Sequence, residues 1–250
     1  MPLIKKLIAL SALLLLVPAT SQAAEKTDLD QELLKNARSL LIHVRNQAQT
    51  DSLEQWFNEI RWTRLKNGLP SDHAKKAFWL NIYNAYYQVM AERFGTEDPQ
   101  RFTIKRVPIA GRRLSFDDIE QVILRRDTTR KSVTDSLIAL AVAEVDYRIH
   151  FALNCGAESC PPIAVYRYDD IDALLDLASK SYLSTETNID SSEKTVQVSQ
   201  LLYWYKDDFG GEKGILRMLS QYLNRDFSGY KIAFRQFNWQ TELGNWRSLR

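Results

Sequence analysis

Cysteine and histidine are scarce in this chain. Its 250 residues hold two cysteines and three histidines. His150, Cys155 and Cys160 would supply three zinc ligands, but their H-x4-C-x4-C spacing matches no common zinc motif. The His-x-Glu of zinc deaminases is missing as well. No phosphate loop, dinucleotide fingerprint or serine elbow occurs, so the sequence offers no ground for a nucleotide site or a serine hydrolase. No cofactor or metal is expected. The longest apolar run, Leu7 to Val17, falls short of the roughly 20 residues that span a bilayer. Internal repeats and low-complexity linkers are absent.

An excess of charge of one sign is lacking too. Lys5 and Lys6 precede the apolar run, Pro18 breaks it, and Ser21-Gln22-Ala23 places small residues before a cleavage after Ala23. Residues 1–23 are therefore expected to be a signal peptide, and the product an exported periplasmic or extracellular protein. No cysteine lies near the cut, which argues against a lipid anchor. Removing the leader takes two lysines and no acids from 33 basic and 31 acidic residues, leaving 31 of each. A neutral mature chain gives no sign of a nucleic-acid partner. The expected partner is an unidentified small molecule, peptide or envelope component.

What is present is mostly helical periodicity. Apolar residues at three- and four-residue steps predict helices over 28–48 and 51–66, a helical N-terminal extension covering 24–68. Asn67-Gly68-Leu69-Pro70 stops the second. A third helix starts at Ser71 or Asp72 and runs to about Arg93, with Gly95 beyond it. It is apolar nearly all round, so it is expected at the centre of the domain over 69–250. Residues 102–115 predict a hairpin turning near 109–112. Ser115-Phe116-Asp117-Asp118 resembles a capping box with Asp in place of Glu, opening a helix to about Arg126. A short buried helix follows near 137–142, then a buried strand over 149–153, a helix over 169–183, a strand over 195–198, a helix over 212–223 and a final strand over 231–237. The expected class is α+β (mixed α/β): a small central sheet packed by several helices.

The chemistry concentrates in 148–162, Arg-Ile-His-Phe-Ala-Leu-Asn-Cys-Gly-Ala-Glu-Ser-Cys-Pro-Pro, which holds both cysteines. Strand alternation would put Arg148, His150 and Asn154 on one face. The neighbouring Arg148 charge would keep His150 neutral, as a general base must be. Cys155 at the strand end would be a nucleophile with His150 as its base, provided the chain turns before Cys155. In an oxidising compartment the same two cysteines can instead form a disulfide, and redox or metal roles also remain open.

Ala77-Phe78-Trp79-Leu80-Asn81-Ile82-Tyr83-Asn84-Ala85, Leu114-Ser115-Phe116-Asp117-Asp118-Ile119-Glu120 and the 148–162 segment together resemble the family called domain of unknown function 547. The likeness covers about residues 70–240. Tyr203-Trp204-Tyr205-Lys206-Asp207-Asp208-Phe209 and Phe237-Asn238-Trp239 resemble its late motifs. The resemblance implies a domain shared by secreted bacterial and intracellular plant proteins, with no established reaction. It marks Asn81, Asn84, Glu120, Arg148, His150, Asn154, Cys155, Ser159 and Cys160 as motif positions.

Each further candidate has a plainer reading. Asn84 could orient His150 in a Cys-His-Asn arrangement, or be a buried amide bridging helix and strand. Glu120 could be an acid or an Arg148 partner. His43 and His73 lie on helices and are expected at the surface or half-buried. Tyr203, Trp204 and Tyr205 could stack on a sugar but are expected in the core, since three successive aromatics cannot share one face. Lys105, Arg106, Arg112 and Arg113 are expected on a solvated face. The leading expectation is a thiol-dependent hydrolase or transferase with Cys155, His150, and Asn84 or Glu120. Asn81, Arg148, Asn154, Ser159 and Cys160 would support the site. The alternative is a non-catalytic periplasmic binding module with a structural Cys155–Cys160 disulfide.

Overall fold

The computed structural model describes residues 28–130 and 133–248. The leader expected at 1–23 lies outside them. Among the described residues no helix is long and apolar enough to cross a membrane.

Helix α1, Gln31–Arg45, starts at Asp30, whose carboxylate accepts the N–H groups of Glu32 and Leu33 (3.1 and 3.2 Å). It is followed by α2, Asp51–Glu59, and α3, Trp62–Asn67. The central helix is α4, Asp72–Phe94. Ser71 caps it through the Ala74 N–H (3.2 Å), and Gly95, at φ +75°, ends it. It is buried on every side from Lys76 to Ala91, as its composition predicts. Leu33, Ala37, Leu40 and Leu41 of α1 join the same apolar cluster with no exposure. Arg64 of α3 pairs with Asp30 (2.7 Å), and Arg93 of α4 holds Glu54 of α2 through two bonds (2.7 and 2.8 Å).

The expected hairpin is present as β1, Val107–Ile109, and β2, Arg112–Leu114, turning through Ala110-Gly111 at positive φ. Arg112 beside it stacks 3.8 Å over Trp62. The capping box also forms. The Ser115 hydroxyl accepts the Asp118 N–H (3.0 Å) while the Asp118 carboxylate accepts the Ser115 N–H (2.9 Å). The helix it opens widens to a π-helix over Asp118–Leu124, a form that recurs at functional sites. The short helix α5 spans Asp135–Ile138.

The expected strand over 149–153 is corrected to a single 3-10 turn, Tyr147–Phe151. Asp146 explains it: its carboxylate accepts the Arg148 N–H (3.1 Å) and also binds that residue's guanidinium (2.9 and 2.7 Å). A side chain that satisfies the first turn's N–H groups favours a helical start over an extended one. Ile149, His150 and Phe151 are then all buried, on different sides. Strand alternation therefore does not operate here.

The remainder builds a second apolar cluster. Helix α6, Ile171–Glu186, leads to β3, Asn188–Asp190, and β4, Thr195–Ser199. Helices α7, Leu201–Trp204, and α8, Gly211–Leu223, then carry the chain across to β5, Lys231–Arg235. Such a crossover is what parallel pairing of β4 with β5 demands, and β3 pairs antiparallel on the other side. The fold is α+β, with its strands in two small sheets. The 148–162 segment runs along the seam: Ile149 and Ala152 belong to the α4 cluster, and Phe151, Ala157 and Cys160 to the sheet cluster.

Candidate functional site

At that seam lies a cavity of about 220 Å³ bordered by His150 and Cys155. Its polar end is built by the π-helix. Glu120 accepts the Tyr205 hydroxyl (2.5 Å), the Tyr83 hydroxyl (3.3 Å) and the Gln121 amide (2.9 Å). Asp117, one turn earlier, also borders the cavity and accepts a bond from Arg130 (3.1 Å). Trp204, Phe237 and Trp239 form the apolar wall, with Trp204 and Trp239 stacked at 5.7 Å. Both tryptophans keep two-fifths or more of their surface exposed.

His150 is 2% exposed and stacks on Tyr205 with ring centroids 3.9 Å apart. Its Nε2 meets the Asp208 carboxylate at 2.7 Å. Arg125 binds the same carboxylate through two bonds (2.6 and 2.9 Å) and also donates to Gln121. Burial lowers the His150 pKa below its ordinary value, and the Asp208 bond pulls upward without overcoming it. Burial by itself would raise Asp208, but the bonds from His150 and Arg125 hold it well below the usual carboxylate range. The dyad is thus a neutral imidazole beside an ionised carboxylate. Nε2–H then donates to Asp208, which leaves Nδ1 as a proton acceptor. The expected neutrality of His150 holds, but its largest cause is burial rather than Arg148. Arg148 is engaged elsewhere, by Asp146, Asp172 and Asp176.

The cysteines are joined. Cys155 and Cys160 form a disulfide, S–S 2.02 Å. The structure therefore holds no thiol at Cys155, contrary to the nucleophile expected there. Asn154 braces the loop: its side-chain oxygen accepts the Gly156 N–H (3.0 Å) and a Gln88 amide bond (3.3 Å), and its amide donates to the Pro161 carbonyl (2.8 Å). Ser159 ties the loop to the C-terminal segment, its hydroxyl accepting the Asn238 N–H (2.9 Å).

The two asparagines of α4 take their plainer roles. Asn84 donates to the Ala152 carbonyl and accepts the Asn154 N–H, both at 2.9 Å, and so fastens the 3-10 turn to α4 rather than orienting His150. Asn81 does the same for Tyr166, donating to its carbonyl (2.7 Å) and accepting its N–H (3.0 Å). Glu120 is not an Arg148 partner. The 203–205 aromatics are not simply core, since the short α7 leaves Tyr203 54% and Trp204 41% exposed. Among the described residues no group of three or more His, Cys, Asp or Glu side chains could hold a metal.

Asp208, Arg125, Gln121 and Tyr83 are site residues that sequence reasoning missed. Tyr203 to Phe209 resembles a late family motif, and its two consecutive aspartates were the available sign of a histidine partner. The family model described as "Protein of unknown function, DUF547" matches residues 68–183. That span holds Glu120, His150 and both cysteines and ends before Asp208 and the tryptophan wall. No curated protein and no solved structure matches the chain significantly.

Proposed function

Since residues 68–183 are a DUF547 family domain, we propose that the chain is an exported binding module of the cell envelope. Its ligand occupies the cavity between Glu120, His150 and the Trp204–Trp239 wall. The Cys155–Cys160 bridge closes the loop that hydrogen-bonds to the segment carrying Trp239. The observation that carries this reading is the disulfide: it consumes both thiols, and the cavity beside it has an apolar wall with a few convergent polar groups, the usual makeup of a small-molecule site. A disulfide also suits an oxidising compartment, in keeping with the leader-like residues 1–23.

A thiol-dependent hydrolase or transferase is the second reading. Cys155 and His150 border one cavity, and a neutral His150 could take a proton from a thiol there after reduction. A folded double variant, Cys155→Ser with Cys160→Ser, separates the two in a strain lacking the native protein. The binding module predicts that the variant still complements the deletion. Loss of complementation with the fold intact supports the thiol mechanism instead.

A further inference from the structure

The open valences at the polar end of the cavity are all of one kind. The Tyr205 and Tyr83 hydroxyls and the Gln121 amide donate to Glu120. Arg125 is spent on Asp208 and Gln121, and His150 Nε2 faces Asp208. What remains is acceptors: lone pairs on Glu120 and Asp117, and His150 Nδ1, which has no partner among the described residues. Charge points the same way. Asp208 is balanced by Arg125, and Asp117 by Arg130 at the rim. Glu120 is held only by neutral donors. Arg125 reaches this carboxylate only through space, so Glu120 has no direct ion pair to offset its partial desolvation. The opposite wall is the exposed tryptophan pair, and indole faces attract cations more strongly than other aromatic side chains do. Arg101 already lies 5.7 Å from the Trp239 ring centroid.

We propose that the cavity takes a small organic cation, a primary ammonium or guanidinium on an apolar stem. Its N–H groups would bond to Glu120 and its stem would lie against Trp204 and Trp239. This rests on the binding-module reading and names its ligand class. A neutral sugar would use the stacking wall but leave the Glu120 charge unanswered.

The test is calorimetric titration of the mature chain with 2-phenylethylammonium, agmatine, the blocked amides of lysine and arginine, neutral 2-phenylethanol and cellobiose. At least one cation is expected to bind ten times or more tighter than 2-phenylethanol. Glu120→Gln, shown to be folded by its cooperative melt, should lose tenfold or more of that affinity. Trp204→Ala, at an exposed position, should weaken binding without unfolding the protein. Tighter binding of the free amines would identify a free metabolite, and tighter binding of the amides a peptide side chain. Equal binding of the cation and the alcohol, or undiminished binding to a folded Glu120→Gln, overturns the proposal. So does binding of cellobiose alone, although the binding-module reading then stands. If no probe binds, the cation is again overturned. The binding-module reading then falls too if Trp204→Ala with Trp239→Ala still complements a deletion.

Discussion

Single side chains at the seam are set by burial working against charge. Asp146 is the clearest case. Burial would raise its carboxyl, but the bonds from Arg148 and Lys76 bring its pKa down to about 2. The unfolded chain has it near 3.8, so the contribution is complete above that pH and is lost as pH falls towards about 2. At 1.36 kcal/mol per unit this is about 2 kcal/mol. Urea unfolding should show the advantage of wild type over Asp146→Asn shrinking by that amount across the window, and an advantage constant with pH contradicts it. His150 acts higher up. Its folded pKa is depressed, so its neutral form is fully compatible with the fold above the unfolded value of about 6.5. Stability is lost as pH falls below that value, because the unfolded chain binds a proton that the buried ring resists. A His150→Gln variant should lack that part of the acid sensitivity. The bridge is the third residue-scale feature. Breaking so short a loop should cost about 2 kcal/mol in the chain-entropy model, which lowers the melting temperature of Cys160→Ser by about 4–8 °C. An unchanged melting temperature would mean that the bridge constrains nothing.

Elements were legible where local chemistry decides them. The capping box at Ser115–Asp118, the Ser71 cap and the all-round apolar face of α4 are each written in four to twenty neighbouring residues, and each formed. The 3-10 turn was not legible in the same way. Arg148, His150 and Asn154 alternate as in a half-buried strand, but the deciding group is the Asp146 carboxylate just upstream, which caps the turn. The widening of the helix at Asp118–Leu124 had no sequence sign either, yet it brings Glu120 and Gln121 to the cavity. The loop after Asn154 gives an element-scale prediction. Gly156 sits at φ +71°, and a Cβ there would lie 2.5 Å from the Tyr87 ring. Gly156→Ala combines backbone strain with overpacking and should cost about 2–4 kcal/mol. Thermal melting checks it, and a variant as stable as wild type refutes the close approach.

On the scale of the whole molecule, the helices before residue 68 complete the core. Leu33, Ala37, Leu40 and Leu41 are fully buried in the α4 cluster, and Arg64 and Arg93 tie the helices together through Asp30 and Glu54. A chain starting at residue 69 should therefore lack a cooperative thermal transition, and a sharp melt by circular dichroism would show that the segment is dispensable. The candidate site has the same long-range character. His150 was visible as the one histidine in a chemically dense segment, but its partner Asp208 is 58 residues away, and the wall residues Trp204 and Trp239 fall before and after that partner in the chain. Sequence patterns report local periodicity, whereas these partners are chosen by packing of the α4 cluster against the sheet cluster. The choice between nucleophile and bridge at Cys155 was open in the sequence for the same reason, since spacing alone cannot tell a nucleophile from half of a bridge.

The proposed function requires Cys155 to be structural and the cavity beside it to bind rather than react through a thiol. Native alkylation of the protein, with and without prior reduction, tests this by intact mass. No adduct is expected before reduction, and adducts on both of the chain's two cysteines after it. A Cys155 adduct in the untreated protein, formed rapidly well below the free-cysteine pKa of about 8.5, would contradict it.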